Sequence, residues 1–403
     1  MKRDRTEDAI EPPRLRVLIL SSVYPDAERP AAGNFIELQA RALARQPGVQ
    51  VAIVAPLPWR PYPLSLARPY RRHRGLPHRE TWNGLEVFRP RFIALPRMPN
   101  LRPWAIARAA LPLLQELKRH FAFDVIAAQF FWPDGPAVAQ LAKALGVPFS
   151  IKARGPDVEH AVRSPRAHAM IRQAAQEAGG LLAVSEATKA RLIELGLAGR
   201  GVEVHYTGVD RNLFRPVDVS TAKAELGLQG PVLLSVGNLT ARKRQSLILD
   251  ALAALPVGTL LLAGSGPEAA RLQARARNHG LDDRVRFLGT VPHGELPGLY
   301  AAADVTVHAA VSEGLANAWV ESLACGTPVV AVEAGGAREL LRAPGAGMVV
   351  APSSEAIAAA IRAILESPRP RKTVAASVGH LSWERNGNQL AQHLRALTFA
   401  AAR

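Results

Sequence analysis

Only one cysteine, Cys325, stands among the 403 residues, so no disulfide can form within the chain and a reducing compartment is expected. No run of eighteen apolar residues occurs, which leaves no candidate for a membrane-spanning helix. The N-terminus, MKRDRTEDAIEPPRLRVLIL, sets acids and prolines before a four-residue apolar run. A secretory leader needs an uninterrupted apolar stretch directly after its positive end, so none is expected and the chain reads as cytoplasmic. No D-x-D follows a strand, and no His/Cys cluster has ligand spacing, so no metal is expected.

What is present is ample apolar material, 48% of the chain, with 21% charged residues of both signs, enough for two ordinary cores in a globular protein. The net charge of +16 is uneven. Residues 1–200 hold 30 Lys and Arg against 17 Asp and Glu, and residues 201–403 hold 20 against 17. The basic character peaks in WRPYPLSLARPYRRHRGLPHR, where Arg60, Arg68, Arg71, Arg72, Arg74 and Arg79 are set among Trp59, Tyr62, Leu64, Leu66 and Tyr70. Arginines mixed with rings and aliphatic side chains suit an anionic bilayer surface. A solvated arginine-rich loop is the competing reading, and nucleic-acid contact is the weakest of the three. A peripheral position on a membrane, with no nucleic-acid partner, is the expectation.

Strand and helix patterns alternate along the whole chain. LRVLIL is a buried-strand run, and Phe35, Leu38, Ala42 and Leu43 after it recur at helical spacing. VQVAIVAP, FDVIAAQF, VPFSIKAR and LLAVSEATKARLIELG continue the order, with Ser185 as N-cap of the last helix. After a break at GVDRNLFRPVD the pattern restarts with PVLLSVGNL and SLILDALAAL, and it closes on a helical tail from Ser353. The fold class predicted is α/β, with two doubly wound parallel sheets. The divisions expected are 1–208, 209–380 and a C-terminal helix over 381–403 packing back on the first domain. Ligands of such sheets bind beyond the carboxyl ends of the strands, which points to a central cleft faced by both domains.

The chemistry concentrates in VSEGLANAWVESLACGTPVV. Glu313 lies in a loop at a strand's end, Glu321 eight residues on inside a helix, and Asn317 is placed to cap that helix. Exposed N–H groups at such a helix start favour an anion. GSGPE, with Gly264 and Gly266, is a glycine turn opening another helix, a contact for a nucleotide or a simple turn. It lacks a full dinucleotide fingerprint at the first βα turn. His205 and Tyr206 are expected to pack, and His160 and His168 to be solvated.

Taken together, LSVGNL, Lys243, LLAGSGP, VRFLGTVPHGELPGLYAAADVTVHAAVSEG, ESLACGTPVVA and GGARE resemble, in order over residues 232–339, the retaining GT-B glycosyltransferases of family 4. The N-terminal half is similar more loosely, through the loop at Gly33, LLAVSEATK and YTGVDRNLFRP. The resemblance implies a GT-B fold of two Rossmann-like domains. It implies a nucleotide-diphosphate sugar as co-substrate, without cofactor or metal, and a lipid-linked or saccharide acceptor. Carried onto this chain, it implies that Glu313 holds donor-sugar hydroxyls and Glu321 the ribose. Lys243 would neutralise the diphosphate, which the N–H groups of Gly314, Leu315 and Ala316 and the loop at Gly33 would face. Glu313 and Lys243 would be the catalytic pair. Two departures stand out. Asn238 occupies the position where the family usually has arginine, with Arg242 as a possible substitute, and ARGPD places Arg154 where many relatives have histidine, with Asp157 retained. Arginine is no base at neutral pH but can hold an anion or orient a sugar. Arg154 and Asp157 are therefore assigned to the acceptor and sugar side. A nucleotide-sugar epimerase or sugar phosphorylase of the same fold, and a non-catalytic basic membrane-binding protein, are the alternatives.

Overall fold

The computed structural model describes residues 14–60, 73, 75–95, 97–159 and 164–401. The chain divides into two compact units. One comprises Met1–Lys152, Ala169–Leu181 and Gly387–Arg403, the other Ala153–His168 and Leu182–Asn386.

Along the chain, β1 (Leu15–Leu20), α1 (Asn34–Ala44) and β2 (Val49–Val54) are followed by four short strands. These are β3 (Leu57–Trp59), β4 (Arg79–Trp82), β5 (Leu85–Phe88) and β6 (Arg91–Ile93), and they precede the long helix α2 (Arg102–His120). Alternation then resumes with β7 (Val125–Ala128), α3 (Asp134–Leu145), β8 (Phe149–Ala153) and α4 (Pro165–Glu177). It continues through β9 (Gly180–Ala183), α5 (Glu186–Glu194) and β10 (Glu203–Val204). Among the described residues the first sheet has the strand order β10-β9-β8-β7-β1-β2-β5-β4. β1 lies between β2 and β7, parallel to both. Its run LRVLIL is buried almost throughout, as a strand covered on both faces requires. Among the first sheet's described pairings only that of β4 is antiparallel. This strand pairs with β5 through Trp82↔Leu85, leaving Asn83 and Gly84, both at positive φ, as a two-residue hairpin turn. β3 and β6 form a separate two-stranded ribbon.

The second unit contains α6 (Val219–Glu225), β11 (Val232–Val236), α7 (Gln245–Ala253), β12 (Thr259–Ala263), α8 (Ala269–Asn278) and β13 (Val285–Gly289). After these come α9 (Leu296–Ala302), β14 (Val305–His308), α10 (Asn317–Ala324), β15 (Val329–Val332), α11 (Ala337–Leu341) and β16 (Gly347–Val350). Its sheet is parallel, in the order β13-β12-β11-β14-β15-β16. Alternate residues feed opposite faces: Val232 and Leu234 enter one core cluster, with Trp319 and Tyr300, while Leu233 enters the other, with Ile248 and Ile357. The single tail expected from Ser353 is three helices, α12 (Ser354–Glu366), α13 (Arg371–Ala376) and α14 (Trp383–Ala401). Pro368 and Pro370 lie in the first interruption, where the missing N–H and fixed φ forbid a continuous helix. Within the first unit, Gly387 of α14 packs against the Ala42 carbonyl and His393 Nε2 lies 2.9 Å from Ser150 Oγ.

Candidate functional site

In the second sheet β11 has β12 on one side and β14 on the other, so the connections leave in opposite directions from the adjacent ends of β11 and β14. Diverging loops leave a crevice at such a switch point. The segment after β11 carries Asn238, Arg242 and Lys243, and that after β14 carries Glu313 to Ala316.

Seventy residues apart in sequence, Lys243 and Glu313 meet here. Lys243 Nζ donates to Glu313 Oε1 at 2.5 Å, both side chains being mostly buried. Arg242 reaches the same oxygen at 3.2 Å and also donates to the Ser312 carbonyl. Arg242, beside Lys243 in sequence, thus shares its carboxylate partner. A 3₁₀ turn over Ala241–Lys243 presents both cations to one carboxylate. Arg244 ends that turn at φ 47 and anchors it by donating to the Ala309 carbonyl at 2.8 Å. Asn238 is exposed, and its carbonyl accepts from Gln245 Nε2. Gly264 and Gly266 hold the neighbouring turn close beneath: a Cβ on either would stand 2.0 Å from the Gly237 carbonyl oxygen or 2.2 Å from that of Leu239.

His308, at the end of β14, was not singled out from sequence. Burial, and after it the charge of Lys243, depress its imidazole to about 3, so it is neutral at ordinary pH. Its Nε2 and the Trp319 Nε1 have no hydrogen-bond partner among the described residues, and the two rings meet edge to face at 6.3 Å.

α10 begins at Asn317 with Ala316 as N-cap and no side-chain cap, which corrects the expected role of Asn317. Asn317 is already inside the helix, and its Oδ1 accepts from Thr207 Oγ1 at 2.9 Å. The helix-start N–H groups therefore have no side-chain acceptor of their own. Gly314 and Leu315 form the buried approach to this helix. Gly314 has no room for a Cβ, which would lie 2.2 Å from the Arg154 carbonyl oxygen. Gly335 and Gly336 press on the same loop, with Gly336 N–H donating to the Gly314 carbonyl at 2.6 Å. Glu339, the last residue of GGARE, accepts from the Glu186 N–H and the Tyr206 hydroxyl, each at 3.0 Å. This contact, after burial, raises the Tyr206 phenol to about 12.

Glu321 sits one helical stretch further on and is itself buried. Its Oε1 lies 2.8 Å from His293 Nε2, and its Oε2 accepts from the Tyr300 hydroxyl at 3.2 Å. Tyr300 is fully buried, and burial ahead of the Glu321 charge pushes its phenol well above its ordinary value. His293 and Tyr300 lie within the motifs named from sequence, but nothing in their spacing there indicates a shared partner. On the other strand-end segment, the Arg154 N–H donates to Asp157 Oδ1 at 2.9 Å. Desolvation lowers the Arg154 guanidinium to about 10, against the pull of Asp157.

Gly33 belongs to the first unit, where it is N-cap of α1 at φ 76, and a Cβ there would crowd the Val23 carbonyl at 2.9 Å. Ser185 caps α5 as expected, accepting from Thr188 N–H at 3.1 Å. His205 is buried against the Asn386 carbonyl. His168 is half-buried and not solvated as expected, because its ring Nε2 lies 2.9 Å from the Leu195 carbonyl. His160 and most of the arginine–aromatic stretch (61–72 and 74) lie outside the described residues. Among the described residues no group of three His, Cys, Asp or Glu side chains gathers in a metal-binding cluster. No described helix is long and apolar enough to cross a membrane.

Two family models cover most of the chain: glycosyl transferases group 1 over residues 218–379, and glycosyltransferase family 4 over 32–213. A 2-deoxystreptamine glucosyltransferase of Streptomyces kanamyceticus is 30% identical over 65% of this chain and 73% of its own length. A Bacillus subtilis protein named for teichuronic acid biosynthesis is 26% identical over 86% of this chain and 88% of its own. Among solved structures, a sucrose-phosphate synthase from Thermosynechococcus elongatus is similar with a TM-score of 0.80 and 24% identity, over 96% of this chain and 100% of the other. The HepE protein of Anabaena in complex with UDP gives 0.71 and 22%, over 95% and 100%. The fold is therefore GT-B, with two Rossmann-like domains, and the molecule is a glycosyltransferase. The chain belongs to family 4, the group 1 glycosyl transferases.

Proposed function

We propose that this enzyme transfers a sugar from a nucleotide-diphosphate sugar, with retention at the anomeric carbon and without a metal, to a lipid-linked or polysaccharide acceptor. The observation that carries the reading is the convergence of Lys243 and Arg242 on Glu313 at the switch point of the second sheet. As the bond from the anomeric carbon to the phosphate oxygen breaks, the electron pair stays with the diphosphate, whose negative charge grows. Fixed cations beside it stabilise that state more than the ground state. In this scheme the arriving diphosphate takes Lys243 and Arg242 from Glu313, which releases the carboxylate to accept from sugar hydroxyls. The uncapped start of α10 adds N–H groups and the helix dipole toward the same charge. Glu321 would exchange its histidine and tyrosine partners for ribose hydroxyls, and Arg154 with Asp157 would orient the sugar or acceptor.

The relatives support this reading: one is named a glucosyltransferase, others D-inositol 3-phosphate glycosyltransferases, and HepE is described in complex with UDP-glucose. The basic first unit accords with an acceptor carried at an anionic membrane surface. Incubation with a panel of UDP-, GDP- and ADP-sugars, reading nucleotide release, tests donor use. The coupling constant of the product's anomeric proton tests retention. Equal rates with and without EDTA are expected, and a rate that collapses and returns with magnesium would overturn the metal-free reading.

A further inference from the structure

The first unit contains a cavity of about 570 Å³ that is lined by none of the residues assigned above to sugar transfer. Its described lining comes from β3, β6, the start of α2 and the loop after β1. Arg29, Arg60, Arg97 and Arg102 are among its lining residues, and no described lining residue is acidic. Along the chain, the stretches that hold most of these residues carry no acid: Trp59 to Arg79 and Val87 to Gln115 contain no Asp or Glu. Arg29 is neutralised by Asp26 at 2.6 Å. Arg60 donates Nε to the Ala94 carbonyl at 3.0 Å, which orients the guanidinium. Arg102 lies 5.7 Å from the centre of the Phe92 ring. It also opens α2, whose first turn has no acid, so a cation stands at the positive end of the helix dipole. Arg97 is held at φ 59, a left-handed conformation that a branched-free but bulky side chain seldom adopts.

The rim is apolar. Ile93, Leu95, Met98 and Trp104 line the cavity and are each about half exposed. Trp59, exposed on the adjoining strand, pairs with Ile93 in the β3–β6 ribbon. Five of the fourteen exposed large apolar residues described thus fall in this one corner, a patch rather than scatter. A cationic hollow bordered by exposed aliphatic and aromatic side chains is complementary to one chemistry: a phosphate on an apolar chain at the water interface. Sugar or nucleotide would leave the rim unburied, and a hydrocarbon alone would leave the arginines unmatched.

We propose that this cavity binds the phosphate headgroup of an anionic membrane phospholipid, with Arg97 and Arg102 on the phosphate and Ile93, Leu95, Met98 and Trp104 against its chains. The proposal deepens the membrane-facing part of the reading above and rests on it only there, since the binding needs neither sugar donor nor turnover.

The test is calorimetric titration of the full-length protein with dihexanoyl phosphatidic acid below its micelle concentration. Dihexanoyl phosphatidylcholine and inorganic phosphate serve as controls. Phosphatidic acid should bind at least tenfold tighter than either, more weakly as salt rises. The double variants Arg97→Gln/Arg102→Gln and Met98→Ser/Trp104→Ser, all at exposed positions, should each weaken it at least tenfold with thermal midpoint and nucleotide binding unchanged. Equal binding of inorganic phosphate would show an anion site without lipid recognition and overturn the proposal. Equal binding of phosphatidylcholine, no binding at all, or unaltered binding by the variants would do the same. Each of these results leaves the sugar-transfer reading standing, because that is tested by nucleotide-sugar turnover and not by lipid binding.

Discussion

Replacing Lys243 by methionine keeps the aliphatic stem and removes one of two cations on Glu313. The other, Arg242, remains 3.2 Å from the same oxygen, so the carboxylate is not left alone. Replacing Glu313 by glutamine does the reverse: Lys243 and Arg242 lose their common anion and are left beside one another. Breaking a buried pair costs about 3–5 kcal/mol, and an exposed one about 0–1 kcal/mol. With side chains 16% and 11% exposed, this pair lies between. Lys243→Met should cost about 1 kcal/mol and Glu313→Gln roughly 2–4 kcal/mol. Calorimetry would then give shifts of about 2–4 °C and at least twice that, at roughly 2–4 °C per kcal/mol for units of this size. Kinetics should separate the same residues differently. Lys243→Met should lower kcat by about 10²–10³, since the diphosphate gains charge as the glycosidic bond breaks, with a smaller change in donor KM. A Lys243→Met protein destabilised as much as Glu313→Gln would refute the shared-cation geometry. One with kcat intact and KM raised would show that the lysine binds ground and transition states alike.

Glu321→Ala should raise donor KM roughly tenfold to a hundredfold and also lower the thermal midpoint, because Tyr300 loses its buried acceptor at a cost of about 1–3 kcal/mol. Glu321→Gln, which keeps an acceptor oxygen, should recover the midpoint but not the KM, and equal midpoints for the two variants would contradict the Tyr300 contact. His308 is neutral in the folded protein down to about pH 3 but titrates near 6.5 when unfolded, so it destabilises the fold progressively as pH falls from about 6.5 toward 3. The slope is about 1.4 kcal/mol per pH unit, and His308→Asn should flatten the wild-type loss of midpoint between pH 7 and 4; parallel curves would place the imidazole in water. Gly314→Ala, whose Cβ would meet the Arg154 carbonyl, should cost roughly 1–3 kcal/mol and impair nucleotide-sugar binding, read by calorimetry and isothermal titration.

The sequence by itself carried the local order. Buried runs such as LRVLIL and the restarting strand–helix alternation determine two sheets that are parallel apart from the β4 edge, because side-chain period and turn chemistry act over a few residues. The Asn83–Gly84 hairpin was not read from sequence, because its flanking strands are short and half-polar. Glu313, Glu321 and Lys243 stood out by motif. What only the tertiary structure decided is who meets whom. Strand order β11 beside β14 brings Lys243 to Glu313 across seventy residues, and the packing of α9 and the turn before it against α10 gives Glu321 its histidine and tyrosine. The arginine cavity likewise needs Arg29, the β3–β6 ribbon and the start of α2 folded together, whereas the sequence showed only that this half is basic. Contacts of this kind depend on the order in which strands enter a sheet, and that order is set by the burial of whole faces, not by any segment's own pattern.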